Sequence, residues 1–101
     1  MPDTPSAGSE YLSDSVAIVT GASSGIGEAT AEALAKKGAS VVLAARRVSE
    51  LEALKDRIGN EGGDALVAKT DVTAEDDIDH LVGATMDEYG RIDVLVNNAG
   101  V

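Results

Sequence analysis

At 101 residues the chain has the length of one domain at most, and a fold of that size buries only about 60 to 70% of the surface its unfolded form exposes. Eight Lys plus Arg against 18 Asp plus Glu give a formal net charge of -10, which argues against duplex nucleic acid and anionic lipid as partners, because both call for a basic face. No cysteine is present, so disulfides, a thiolate nucleophile and a thiolate metal site are excluded, and a reducing cytoplasm is the simplest address.

Hydrophobic residues at 44% and charged residues at 26% are ordinary for a globular domain. The sequence has no stretch apolar enough to span a bilayer, and Met1 to Glu10 lacks the basic start and apolar run of a secretory signal. Asp outnumbers Glu, and Lys and aromatic residues are few. That balance fits a protein kept soluble in concentrated salt, and an acidic protein of ordinary salt fits nearly as well.

Met1 to Asp14 mixes prolines, serines and acids without periodicity and reads as a flexible acidic tail, leaving residues 15–101 as the ordered unit. Val16-Ala17-Ile18-Val19 is a short apolar run, the signature of a strand buried on both faces. A helix follows, its stripe predicted at Ile26, Ala29, Thr30, Ala33 and Leu34, with Gly38 placed to end it behind Lys36 and Lys37. Val41 to Ala44 is a second buried strand. Ser49 and Glu52 predict a capping box at the start of a helix carried by Leu51, Leu54 and Ile58, and the Gly59 to Gly63 run stops it. A third strand spans about Asp64 to Lys69. Beyond Asp71, Thr73 is expected to cap a helix with Glu75, Asp76 and Asp77 at its positive end and a buried stripe of Ile78, Leu81, Val82, Met86 and Tyr89. Val94-Leu95-Val96 is the fourth strand.

Strands alternating with helices on short connections imply parallel pairing through right-handed crossovers. The fold class is therefore α/β, a Rossmann-type doubly wound parallel sheet.

Thr20-Gly21-Ala22-Ser23-Ser24-Gly25-Ile26-Gly27 lies between the first strand and the first helix, where a phosphate-binding turn belongs. Gly21 permits positive φ, Gly25 lets backbone approach a pyrophosphate, and Gly27 lets the helix pack closely on the strand. The amides of Ser24, Gly25 and Ile26 are the expected donors to the anion, with the Ser23 and Ser24 hydroxyls as adaptable extras. A glycine-rich turn without a ligand is the bland alternative.

The Gly-x-x-x-Gly-x-Gly spacing, followed in register by Asp71-Val72 and Asn97-Asn98-Ala99-Gly100, resembles the short-chain dehydrogenase/reductase family over Ser15 to Val101. The resemblance implies the strand order 3-2-1-4, with the first two helices on one face, the third on the other, and the fourth strand at an edge. The resemblance implies that Asp71 bonds the adenine amino group, that Val72 lies along the ring, and that Asn97, Asn98, Ala99 and Gly100 border the adenosine ribose and steady the central strand. Asp71 as a capping aspartate ahead of Thr73 stays open as the structural alternative. At the end of the second strand, where a carboxylate would hold the ribose hydroxyls of NAD, stands Ala45, followed by Arg46 and Arg47. A guanidinium there can clasp a 2′-phosphate. NADP-using members of the family commonly carry arginine where Arg46 stands, so NADP(H) is the expected cofactor and Arg47 a solvated neighbour. Two arginines merely decorating a loop is the alternative.

The resemblance further implies carbonyl reduction or alcohol oxidation by a Tyr-x-x-x-Lys pair with a serine and an asparagine, usually in a homo-oligomer. No catalytic residue is assigned here: Tyr11 is followed at the fourth position by Ser15 and Tyr89 by Asp93, and both read as structural, as does a solvated His80. No metal site is expected. The sequence is thus read as the cofactor-binding half of an NADP-dependent oxidoreductase, with a small-molecule carbonyl or alcohol as substrate only if a C-terminal half completes it. A catalytically inactive, truncated dinucleotide-binding remnant is the alternative, and on either reading the chain alone is expected neither to turn over substrate nor to hold a well-packed native state. A dinucleotide-sensing regulator is allowed by the fold but lacks any supporting feature.

If the acidity is an adaptation to salt, screening stabilises the fold as the Debye length shrinks from about 10 Å at 0.1 M to about 3 Å at 1 M. Circular dichroism melts in KCl over that range are expected to show a rising midpoint; a flat or falling one contradicts the adaptation.

Overall fold

The computed structural model describes residues 12–98, and Tyr11, Ala99 and Gly100 lie outside the described residues. Seven elements follow in chain order: β1 (Val16–Thr20), α1 (Gly25–Lys36), β2 (Ser40–Ala45), α2 (Val48–Asn60), β3 (Asp64–Lys69), α3 (Glu75–Tyr89) and β4 (Val94–Asn97). The four strands form one parallel sheet in the order β3-β2-β1-β4. In register, Ile18 of β1 stands between Val42 of β2 and Leu95 of β4, and Val42 in turn faces Leu66 of β3.

Because β1 and β2 are apolar at nearly every position, each contributes side chains to two cores. Ala17, Val19, Val41 and Leu43 point to the face covered by Ala31 of α1 and by Leu51, Leu54 and Ile58 of α2. Val16, Ile18, Val42 and Ala44 point to the other face, beneath Leu81 of α3. The reversal of winding after β3 is what sends α3 across the sheet, as right-handed crossovers require. Arg57 of α2 reaches Glu28 and Glu32 of α1 at 3.5 and 3.4 Å, partly exposed pairs that tie the two helices weakly.

The start of β4 is fastened to the start of β1. The Val16 amide donates to Asp93 Oδ2 at 2.8 Å and the Asp93 amide to the Val16 carbonyl at 2.8 Å. Arg91 grips the same carboxylate with bonds of 2.9 and 2.8 Å, and these hydrogen bonds, helped by the Val16 amide, hold the Asp93 carboxyl below its ordinary pKa.

α1 ends as anticipated. Gly38 takes φ +98°, its amide bonds the Ala35 carbonyl at 3.0 Å, and the Ala39 amide reaches back to Leu34 at 3.2 Å, the paired bonds of a Schellman stop.

Several local expectations are corrected. On α1 the residues facing the sheet are Gly27 and Ala31 with Leu34 and Ala35 beside them, whereas Ile26, Ala29 and Ala33 are exposed. Small residues set the phase here because the helix lies too near the sheet for larger ones. α2 begins two residues earlier than a Ser49 capping box allows: Arg47 is the N-cap and makes no side-chain cap bond, and the phase is fixed by burial of Leu51, Leu54 and Ile58. α3 is capped by Ala74, again without a side-chain bond, because the Thr73 hydroxyl is engaged by Asp71. The buried line of α3 is Leu81 and Thr85, Ile78 and Tyr89 are half-buried, and Val82 and Met86 are exposed. Thr85 enters the core because its hydroxyl donates to the Leu81 carbonyl at 2.8 Å, which leaves no polar group unmet.

Leu12 to Asp14, grouped with the leading tail by composition, form a turn: the Leu12 amide bonds the Lys37 carbonyl at 2.8 Å and the Leu12 side chain packs on the α1/α2 core. At the other sheet edge, β4 pairs only with β1 among the described residues. Leu95 there is 62% exposed, and with Val72, Val82 and Ile92 it lines a small apolar groove of about 200 Å³ against Ile18 and Leu81.

Truncation should distinguish the covered face from the exposed side of α3. Leu54→Ala, at a fully buried position, is expected to cost about 2–5 kcal/mol, and Met86→Ala about 1 kcal/mol or less. Urea midpoints of the two variants compare them; equal losses would contradict the core as described.

Candidate functional site

The C-terminal ends of all four strands open into one cleft of about 640 Å³. Its position is the switch point of the sheet, where β1 sends its connection to one face and β3, on its way to β4, sends its own to the other. The glycine loop forms its floor, Ala44 to Arg47 one wall, Asp71 to Thr73 a second, and Asn98 closes it at β4.

The loop is shaped by two glycines. Gly21 turns the chain at φ +64°, and a Cβ on Gly27 would collide with the Gly21 carbonyl and stand 2.9 Å from Ala22 Cα. The helix can therefore begin this close to the strand only with hydrogen at Gly27. Ser24 is the N-cap: its hydroxyl donates to the Gly21 carbonyl at 2.8 Å and accepts from the Gly27 amide at 3.2 Å.

The expected donor set narrows accordingly. The Ser24 amide is already bonded to the Gly21 carbonyl at 3.1 Å, so neither it nor its hydroxyl proton is free for an anion. The amides of Gly25 and Ile26, at the start of α1, have no hydrogen-bond partner among the described residues, and the helix dipole adds positive potential there. Around Gly25 a Cβ would meet nothing within 4 Å. Ser23 lines the cleft beside them, and Ile26 stands 67% exposed at its lip.

Across the cleft, Ala45 is buried and Arg46 is exposed, with no ion pair or hydrogen bond among the described residues. Arg47 differs, since its guanidinium lies 3.5 Å from Glu50 in the first turn of α2. In a chain of net charge -10, two adjacent cations on one wall make a local positive field.

Asp71 accepts from the Thr73 hydroxyl at 2.6 Å and from the Thr73 amide at 2.9 Å, both on Oδ1. These bonds, the hydroxyl's first, lower its pKa, and the charge of Arg46 assists. The carboxylate is thus ionised near neutrality and purely an acceptor. Oδ2 has no partner among the described residues. The turn to Thr73 and a vacant second oxygen are both present, so the structural reading of Asp71 and the ligand-facing one are compatible. Val72 beside it is exposed at the cleft.

Thr20, unremarked in the sequence, joins β1 to the end of β4. Its buried hydroxyl donates to Asn97 Oδ1 at 3.0 Å, near the Val96 carbonyl at 3.3 Å, and accepts from the Asn98 amide at 3.1 Å. The Asn98 side-chain Nδ2 is buried with no partner among the described residues. A threonine at a strand end is a common residue in a common place, and only its opposition to Asn97 in the parallel register reveals the clasp. Asp77 was legible only as a helix-dipole charge, yet its Oδ2 accepts from the Asp71 amide at 2.9 Å.

The structure keeps Tyr89 and His80 away from this cleft. Tyr89 packs under α3 beside Leu66 and Ala68, and burial, followed by the neighbouring Asp64 carboxylate, raises its pKa, the reverse of what a phenol acting as general base needs. His80 is exposed on α3. Among the described residues no group of three or more His, Cys, Asp or Glu could hold a metal ion, and no helix is long and apolar enough to cross a membrane.

A parallel sheet with a glycine loop at its switch point, an arginine after the second strand and an Asn-Asn end to the fourth defines a dinucleotide-binding type of fold. Residues 15–101 match the family model for short chain dehydrogenase, and the chain belongs to that family. It is 51% identical over 90 residues to an uncharacterized oxidoreductase of Listeria innocua, covering 89% of this chain and 36% of that protein. With the 3-oxoacyl-[acyl-carrier-protein] reductase of Synechocystis sp. it shares 46% identity over 91 residues, covering 89% and 37%. The crystal structure of a metagenomic short-chain oxidoreductase in complex with NADP superimposes with a TM-score of 0.84 at 48% identity, covering 89% of this chain and 41% of that one. The chain spans little more than a third of the length of these two curated relatives and less of others.

Gly27→Ala is expected to destabilise the fold by about 1–3 kcal/mol through overpacking against backbone, while Gly25→Ala, with open space around it, changes stability by less than about 1 kcal/mol. Paired denaturation curves test this, and a Gly27→Ala variant as stable as the parent would refute the close approach.

Proposed function

We propose that this chain is the cofactor-binding part of an NADP-dependent oxidoreductase that reduces carbonyls or oxidises alcohols by hydride transfer. The observation that carries the reading is the pairing, in one cleft, of two unbonded helix-N-terminal amides at Gly25 and Ile26 with an unpaired guanidinium at Arg46. Two anion sites, one on the floor of the cleft and one on its wall, fit a ligand with a pyrophosphate and a separate 2′-phosphate. The volume, about 640 Å³, suits a ligand of this class.

The roles follow from what each group offers. Gly25 and Ile26 amides bind the pyrophosphate, and the absent Cβ of Gly25 lets it approach. Arg46 clasps the 2′-phosphate in a charge-assisted bidentate contact, and buried Ala45 leaves no carboxylate to repel it. Asp71 Oδ2 accepts from the adenine amino group, and Val72 covers the ring. Asn97 is oriented by Thr20, and Asn98 Nδ2, a buried donor without a protein partner among the described residues, is suited to a ribose oxygen. Ser23 lies at the phosphate side, and Ala99 and Gly100, outside the described residues, carry only the ribose-side role that the family resemblance implies. The nicotinamide of NADP(H), when bound, supplies or accepts the hydride.

A second reading is nucleotide binding without turnover by this chain. It is favoured by one sequence fact: neither tyrosine is followed by lysine at the fourth position. The soluble, cytoplasmic setting inferred from composition suits either reading.

The arginine wall gives the test. Ala45→Asp with Arg46→Ala places a carboxylate where the phosphate binds and removes its clasp, so the NADP to NAD affinity ratio is expected to move toward NAD by about 2–4 kcal/mol, the scale of a charge-assisted contact with added repulsion. Calorimetric titration with both nucleotides reads it; an unchanged ratio defeats the assignment.

A further inference from the structure

We infer that Asp77 is a positioning residue for base recognition, holding the Asp71 main chain so that the free Asp71 carboxylate oxygen meets an exocyclic amino group; this rests on the nucleotide reading of the cleft. Just beyond β3 the Thr70 amide still finds a strand partner, the Ala45 carbonyl at 2.8 Å. The next amide, that of Asp71, has no carbonyl opposite it, and an amide leaving a sheet must be met by some acceptor. Asp77 Oδ2 meets it at 2.9 Å from the third position of α3. The carboxylate thus fastens the exit of β3 to a helix that is itself anchored in the core by Leu81 and Thr85.

The second tether acts on the side chain. Thr73 occupies Asp71 Oδ1 with two bonds, but Thr73 sits on the same turn and would travel with Asp71 if the turn shifted. The Asp71 carbonyl also accepts from the amide of Ala74, the N-cap of α3, at 2.9 Å, but among the described residues Asp77 alone meets the Asp71 amide, with a side chain from within the helix. With main chain and Oδ1 both fixed, Oδ2 is the one oxygen left for a ligand, and its direction depends on Asp77. A hydrogen bond weakens steeply with misalignment, so a small rotation of the turn is sufficient to lose base discrimination while the phosphate contacts, made by other elements, persist.

The experiment compares NADP with its hypoxanthine analogue, in which the exocyclic amino donor is replaced by a carbonyl acceptor that faces Asp71 unfavourably. Both are titrated by calorimetry into the full chain and into Asp77→Ala and Asp77→Asn. The parent is expected to prefer NADP on the order of 10-fold or more, the size of a hydrogen bond to a charged group. In Asp77→Ala that preference falls to about 3-fold or less through loss of NADP affinity, with the analogue's affinity changed by less than about 3-fold. Asp77→Asn keeps the parent ratio, because the amide oxygen accepts the same bond. Should the alanine variant fail to fold by circular dichroism, Asp77→Ser, too short to reach the Asp71 amide and suited to a first helical turn, takes its place. Equal weakening of both nucleotides in the alanine or serine variant, an unchanged ratio there, or an Asp77→Asn variant that loses discrimination as fully, each overturns the positioning role. A parent chain that binds neither nucleotide overturns the nucleotide reading itself, a failure distinct from the others.

Discussion

The approach of α1 to β1, so near that no Cβ fits between Gly27 and the Gly21 carbonyl, is the contact on which the site depends. A helix can aim its free amides into a strand-end cleft only if it starts within a few residues of that strand and lies close along the sheet. Gly21 supplies the turn, Ser24 closes it with its own hydroxyl and amide, and the two following amides are left over. Serine 24 is therefore a device for shaping the loop, and the anion-facing work passes to backbone, which cannot be altered by any single side chain other than one that fills Gly25.

Charge is distributed to the same end. The chain is acidic almost everywhere, yet Arg46 stands at the cleft without a carboxylate partner among the described residues while Arg47 beside it is drawn toward Glu50 and Arg57 toward α1. A cation left unpaired amid so many carboxylates is most simply understood as awaiting an anion. Opposite it, Asp71 is held ionised by Thr73 and fixed through its amide by Asp77. The two walls thus offer a cation and a carboxylate oxygen to one elongated ligand, with helix amides between them, and on the proposed reading these suit in sign the phosphates and amino group of NADP.

Much of this was legible in the sequence where a pattern carries a strong physical signal. Runs such as Val16 to Val19 and Val41 to Ala44 can be buried only by covering both faces, which calls for helices on both sides, whereas the strand order was legible only through the family resemblance of the motifs. Glycines at 21 and 27 announced the turn and the close contact. The phase of α1 was not legible, since alanine can face either way and the larger Ile26 lay on the exposed side. Ser49 and Thr73 looked like caps, but tertiary constraints fixed each helix start elsewhere: burial of Leu51 and Leu54 set one, and the Asp71 carboxylate claimed the Thr73 hydroxyl at the other. The bonds that Thr20 and Asp77 make were not legible because their partners are far off in the chain or on the next element, and only the folded register brings them together.

The central claim is that the strand-end cleft, and no other surface of the chain, holds a 2′-phosphorylated adenine dinucleotide. Titration of the nitrogen-15-labelled chain with NADP, followed by amide chemical shifts, tests it residue by residue. The account predicts the largest changes at Gly25, Ile26, Arg46 and Asp71. Changes confined to the apolar groove around Ile92 and Leu95, or none at saturating nucleotide, would contradict it.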